Sequence, residues 1–140
     1  MSLRHTRASL QRQTNGPGFH DLSADVARWL RAIEAGDGAV TLFIRHTSAS
    51  LTIQENADPD VLRDLVDSLA GLAPQDHAYR HATEGPDDMP AHIKSMLTSV
   101  SLTIPVAAGR MMLGTWQAPY LIEHRAHPHE REIILTYIGA

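Results

Sequence analysis

Cysteine is absent from this chain of 140 residues, which removes disulfides, thiolate metal sites and cysteine nucleophiles from consideration. Any metal must be held by His, Asp, Glu or Asn. Long apolar runs are missing too. The opening MSLRHTRASLQRQTNG is partly basic but lacks an apolar core of signal-peptide length, and nothing later approaches a membrane span. The expectation is a soluble, cytoplasmic protein with no membrane partner. Basic residues are few and dispersed: twelve Lys and Arg face sixteen Asp and Glu, for a formal net charge of -4. Phosphate backbones are gripped by concentrated cations, so no nucleic-acid partner is expected. Neither common Gly-rich phosphate loop occurs, nor an internal repeat, nor a low-complexity tract.

What remains is the material of a single domain, residues 1–140, large enough to bury roughly two thirds of its unfolded surface. Its compositional outlier is histidine, nine in all. With sulfur absent, these are the natural ligands and proton carriers. The most informative stretch is residues 42–56, LFIRHTSASLTIQEN, where an apolar strand pattern runs into histidine, hydroxyls, carboxylate and amide. A strand alternates its faces, so Leu42 and Ile44 point with His46, and Phe43 and Arg45 with Thr47. Extended backbone would carry Ser48 and Ser50 onto the face of His46; a turn within SAS breaks that register. The bland alternative is a Thr/Ser-rich strand end closed by side-chain to backbone bonds.

Elsewhere the pattern predicts an edge strand over residues 3–13 and a turn at residues 15–18. A helix follows over residues 23–35, with Ser23 as N-cap, Val26, Trp29, Leu30 and Ile33 at helical spacing, and Gly36 as the stop. Strands are expected at 39–46 and 51–54. The clearest helix begins with Asp58 as cap and Pro59 in its first turn, buries Leu62, Leu65, Val66 and Leu69, and ends at Gly71. Residues 74–89 show no periodicity, and so long a polar stretch in a compact domain is more often a functional loop than a spacer. A short helix from Pro90 carries residues 91–97. Strands at 101–106, 111–113, 120–124 and 132–138 complete an α+β chain, with two or three helices and a mainly antiparallel, sandwich-like sheet.

The polar loop and the helix after it hold His81, Glu84, Asp87, Asp88 and His92. A divalent ion wants imidazole nitrogens or carboxylate oxygens converging from several segments, and His92 on a helix start with His81 on the loop meets that need. That loop carries no H-x-H or H-E-x-x-H, so a solvated His81, helix-capping aspartates and a packed His92 stand as the alternative. Further on, alternation puts Tyr120, Ile122 and His124 on one face, with Leu121, Glu123 and Arg125 on the other. His124 and Glu123 therefore do not enter one pocket from a regular strand. Trp116 is a stacking wall or an edge of the core. His5, His20, His77, His127 and His129 lie among polar or turn residues and receive no role. A serine-hydrolase arrangement of Ser48 or Ser50 with a histidine and Glu55 lacks the G-x-S-x-G elbow.

Read together, HTSASLTIQEN before a D-P helix, then DDMPAHIK, SLTIPV, GTWQ and EHR resemble the YjbQ family, also described as secondary thiamine-phosphate synthase enzymes. The resemblance runs from about residue 19 to the end. It implies a small α+β protein with a sandwich-like core, assembling as a homotrimer with sites near subunit boundaries, a histidine metal site, and weak joining of the pyrimidine and thiazole halves of thiamine phosphate. Carried over by motif, the site residues are His46, Ser48, Ser50, Glu55 and Asn56; His81, Asp87, Asp88 and His92; and Thr115, Trp116, Gln117, Glu123 and His124. Ala118 and Pro119 depart from the pattern, because proline lacks the N–H expected before the aromatic position.

The function expected is metal-assisted chemistry on a phosphorylated or pyrophosphorylated small molecule. His81, His92 and His46 would hold the metal, and Glu55, Asp87 and His46 would act in catalysis. Thr47, Ser48, Ser50, Asn56, Thr115, Trp116 and Gln117 would bind substrate, and Arg45, Arg80, Lys94 and Arg125 could neutralise a leaving pyrophosphate. Imidazole favours zinc, manganese or iron, whereas pyrophosphate chemistry usually uses magnesium. Alternatives are a hydrolase with metal-activated water and a non-enzymatic metal- or ligand-binding trimer.

Overall fold

Alternating apolar and polar residues build most of this chain into strands. The computed structural model describes residues 2–140, in the order β1 (Arg4–Asn15), β2 (Gly18–Asp21), α1 (Ser23–Ala32), β3 (Gly38–Ile44), β4 (Ala49–Glu55), α2 (Pro59–Leu72), α3 (Asp88–Leu97), β5 (Ser101–Ala107), β6 (Arg110–Met111), β7 (Gln117–Glu123) and β8 (Pro128–Gly139). The strands form a five-stranded sheet, β1-β8-β3-β5-β6, and a three-stranded sheet, β2-β7-β4. Every pairing is antiparallel. The architecture is α+β, as the sequence pattern predicts. Among the described residues no helix is long and apolar enough to cross a membrane.

The core lies between the sheets and α1. Val40, Leu42 and Ile44 of β3, Ile104 and Val106 of β5, and Ile133, Leu135 and Tyr137 of β8 meet Leu51 and Leu121 of the smaller sheet and Val26 and Leu30 of α1. These positions follow the two-residue period of strands and the near four-residue period of a helix. The opposite face of β3 and β8 carries Phe43, 46% exposed, and Ile138, 54% exposed.

Several boundaries move from their expected places for local reasons. β2 occupies residues partly read as a turn, because it pairs with β7 from Gly18 opposite Glu123 to Asp21 opposite Tyr120. Leu22, not Ser23, is the N-cap of α1; Asp21 Oδ1 accepts the Ser23 N–H at 2.8 Å. That helix ends early, with Glu34 in the left-handed region at φ 54°. Asp58 does cap α2, accepting from the Asp60 N–H at 2.9 Å. The helix runs past Gly71, and its apolar stripe is half-buried, with no fully buried residue. α3 begins two residues before Pro90, which its first turn tolerates.

Gly38 and Gly139 face one another across β3 and β8. A Cβ built on either meets the other's Cα at 2.7 Å, closer than packed atoms tolerate. Gly38→Ala and Gly139→Ala are therefore each expected to cost about 1–3 kcal/mol through overpacking, measured by denaturant unfolding. Unchanged midpoints would mean that the strand pair separates without cost.

Candidate metal centre

The helix start fixes the centre. Because α3 begins at Asp88, Asp88 and His92 are four residues apart on one helix face, while His81 reaches them from the preceding loop. One ligand atom from each of His81, Asp88 and His92 lies within 4.8 Å of the others. His81 Nε2 stands 2.6 Å from Asp88 Oδ2, and His92 Nε2 stands 3.1 Å from the same oxygen. The far nitrogen of His92, Nδ1, donates to the Thr47 carbonyl at 3.0 Å. Glu84 Oε2 lies 3.1 Å from His81 Nε2 at the open side.

Asp88 is held from behind. Arg125 donates from Nη1 to Asp88 Oδ1 at 2.6 Å, from Nε to Asp87 Oδ2 at 3.0 Å, and from Nη2 to the Glu84 carbonyl at 2.9 Å. Burial opposes ionisation of Asp88, yet His81, Arg125 and His92 outweigh it and hold the carboxyl below its ordinary range. Asp87 behaves alike: burial works against the charge, and the Ala126 N–H with Arg125 prevails. The hydrogen bond to Asp88 raises the His81 pKa. Deeper in, Glu123 ends β7 at 1% exposure. Burial opposes its charge, and Arg131, Thr14 and the Arg125 N–H bring its pKa below the usual value.

The structure sorts the expected residues into separate groups. His46 is not part of the metal group; its Nε2 accepts the Glu132 N–H at 2.8 Å, and burial, then Arg131, lowers its pKa. A bend at Thr47 and Ser48 breaks the imagined row of His46, Ser48 and Ser50. Ser48 instead accepts from Arg131 Nη2 on its carbonyl and its Oγ. Ser50 is fully buried, with its Oγ 2.8 Å from His124 Nε2. Asp87 is already bonded to Arg125 and Ala126. Glu55 accepts the Asp58 N–H at the start of α2 and pairs with Gln117, while the Asn56 N–H donates to the Trp116 carbonyl. Glu55, Asn56, Thr115, Trp116 and Gln117 thus gather at the far end of the smaller sheet, with Trp116 63% exposed. The seven residues of β4 separate them from the metal group by about 20 Å at roughly 3.3 Å per strand residue.

The sequence reading did not give Asp88 a ligand's role, because it began the helix at Pro90. Its signal was the D-x-x-x-H spacing of Asp88 and His92, informative only once both lie on the helix. Arg131 was also missed, since nothing in its local pattern marks it as a partner of Ser48 and Glu123.

His124, 3% exposed, is the most perturbed imidazole. Burial, then Lys94, lowers its pKa from 6.5 to about 4, against the opposing pull of Glu123. Between these values the unfolded chain binds the proton and the native chain does not. Its contribution is therefore full above pH 6.5 and lost as pH falls toward 4, at most about 3 kcal/mol. Unfolding measured at each pH should show the parent losing more stability across this window than His124→Gln. Parallel curves would mean that His124 does not titrate there.

Comparison with known proteins identifies the family and agrees with the fold. The family model described as UPF0047 protein YjbQ-like matches residues 7–140. The UPF0047 protein sll1880 of Synechocystis is 51% identical over 127 residues, covering 90% of this chain and 86% of that protein. The UPF0047 protein YjbQ of Salmonella typhimurium is 45% identical over 123 residues, covering 87% and 89%. Among solved structures, a conserved hypothetical protein from Thermus thermophilus matches with a TM-score of 0.82 at 38% identity, over 91% of this chain and 97% of that one. A YbjQ-like protein of unknown function from Sulfolobus solfataricus shares the fold with a TM-score of 0.91 at 18% identity, over 99% and 100%. The chain belongs to the YjbQ-like UPF0047 family.

Proposed function

We propose that this chain is a metal-dependent enzyme acting on a phosphorylated or pyrophosphorylated small molecule, with a divalent cation held by His81, Asp88 and His92. One observation carries the reading. A carbonyl only accepts, so His92 Nδ1 must donate to Thr47, and the Nε2 of a neutral ring then turns a lone pair toward Asp88 Oδ2 at 3.1 Å. Two acceptors that close need a proton or a metal ion between them. Ring nitrogens anchored from behind by a carbonyl are the usual arrangement of metal-bound histidine. Two imidazoles and one carboxylate suit zinc, manganese or iron and leave positions for substrate.

Such an ion, when bound, neutralises charge on phosphoryl oxygens or acidifies a water molecule. The chain's own residues do the rest. A cavity of about 340 Å³ lined in part by Gln75, His77, Tyr79 and Gly85 shares His81 with the centre and is our choice for the substrate. Arg45 is paired with Glu132, and Arg125 with Asp87 and Asp88. That leaves Arg80 and Lys94, among the cations marked in the sequence, for substrate oxygens. In this acidic setting a phosphate needs the cation as its bridge. The finer form of the reading, joining pyrimidine pyrophosphate to thiazole phosphate, rests on the family resemblance. Hydrolysis is the second reading, favoured by Glu84 beside His81, placed to accept a proton from water.

Metal content of the purified protein, zinc and manganese titrations, and release of phosphate or pyrophosphate from a panel of phosphorylated compounds test this reading. His92→Ala should lower metal affinity by at least about 10–100-fold and abolish turnover. Its circular dichroism should be unchanged, because alanine favours helix. A parent that takes up no metal sinks the reading; tight, stoichiometric uptake without turnover would make it a metal-binding protein instead.

We further propose a homotrimer, the number taken from the resemblance. Its support is apolar surface that one chain leaves uncovered: Phe43, Met96, Leu97, Val100 and Ile138 are 46% to 81% exposed. Assembly also offers the cluster around Trp116 a way to approach a neighbouring copy's metal centre. Light scattering at micromolar concentration should give three chains per particle; a monomer would sink the proposal.

A further inference from the structure

One buried carboxylate touches none of the three candidate ligands, yet it connects to the supports of two. Glu123 Oε1 accepts from Thr14 Oγ1 at 2.5 Å and from Arg131 Nε at 2.8 Å. Its Oε2 accepts from Arg131 Nη2 at 2.6 Å and from the backbone N–H groups of His124 and Arg125 at 2.9 and 3.0 Å. Both branches lead onward. Through Arg131 Nη2, which also donates to the Ser48 carbonyl and Oγ at 3.2 and 3.0 Å, Glu123 holds the bend whose Thr47 carbonyl fixes the ring of His92. Through the Arg125 N–H it holds the backbone from which the Arg125 guanidinium grips Asp88 Oδ1.

We propose that Glu123, with Arg131, is a positioning residue for the metal centre, setting the orientation of His92 and of Asp88 from a single buried ion pair. The inference rests on the metal-centre reading above. Ion pairs this deeply buried are poor sources of stability, because desolvation cancels most of their attraction, and apolar replacement of both partners is often tolerated. Fixed direction is what they supply. Arg131 has the donor geometry to hold Glu123 and Ser48 together from one planar group. Lysine, a single flexible point charge, does not reproduce that fork.

Cobalt(II) titration separates positioning from folding, because its visible absorption reports the ligand geometry directly, without any need for turnover. Three variants are compared with the parent: Arg131→Lys, the double variant Glu123→Leu with Arg131→Met, and His92→Ala. Arg131→Lys and the double variant should keep the parent's circular dichroism and stoichiometry. Their cobalt affinity should fall about 10–100-fold, the range of residues that orient ligands from behind, and the visible band should shift. His92→Ala should lose the band. If Arg131→Lys folds and binds cobalt with the parent's affinity and spectrum, the positioning inference is overturned while the metal centre stands. Should the double variant not fold, Arg131→Lys decides alone. A parent that binds no cobalt removes the centre itself and the inference with it.

Discussion

The carboxylate of Glu123 is the constraint around which this site is arranged. Five donors from four residues converge on it, from β1, β8 and the backbone that follows β7. A charge in that position is tolerable only because every lone pair is used. Breaking one side of such a pair leaves the other buried and uncompensated, at about 3–5 kcal/mol. The arrangement ties both sheets together, since Thr14 and Arg131 come from the larger sheet and Glu123 from the smaller. The packed sandwich thus carries a polar bolt close to its candidate centre.

Asp88 solves a related problem at the surface of that bolt. Its two oxygens are divided, Oδ1 to Arg125 and Oδ2 to the imidazoles of His81 and His92. A carboxylate left free to rotate would offer both oxygens to any cation nearby. Held by a guanidinium on one side, it presents one oxygen in one direction. The same contact uses up Arg125, which the sequence had suggested for substrate. A phosphorylated ligand would therefore meet an acidic rim of Glu84 and Asp88 with few free cations, and its affinity would depend on the ion.

Much of the fold was legible because its signals are local and repetitive. The alternation of Val40, Leu42 and Ile44, and the Asp58-Pro59 start of α2, need only nearest-neighbour physics. β2 was not legible as a strand, since four residues rich in turn formers become extended only against β7. The candidate site was legible by residue type more than by arrangement. His81 and His92 were marked as possible ligands from the polar loop. Asp88 was misplaced by a two-residue error in the start of α3, and Arg131 by its distance in sequence from Ser48, which contacts across sheets do not respect. His46 was grouped with the ligands because it too ends a packed element in a polar segment, and strand alternation set it in a row with Ser48 and Ser50, which the bend at Thr47 and Ser48 breaks.

The split between the metal group and the cluster around Glu55 and Trp116 follows from the same geometry. Strand β4 separates the motif residues into two ends of one sheet, and a strand does not fold back on itself within seven residues. Residues that a linear motif suggests as neighbours, His46 through Asn56, are therefore spread along a rigid spacer. Either the two ends serve different purposes, or a second copy supplies the missing half. The uncovered apolar face of β3 and β8 favours the second, because Phe43 and Ile138 on an exposed sheet face gain most by meeting another such surface. On that argument a rigid strand would hold the two clusters of each chain apart, while packing between copies brought unlike ends together.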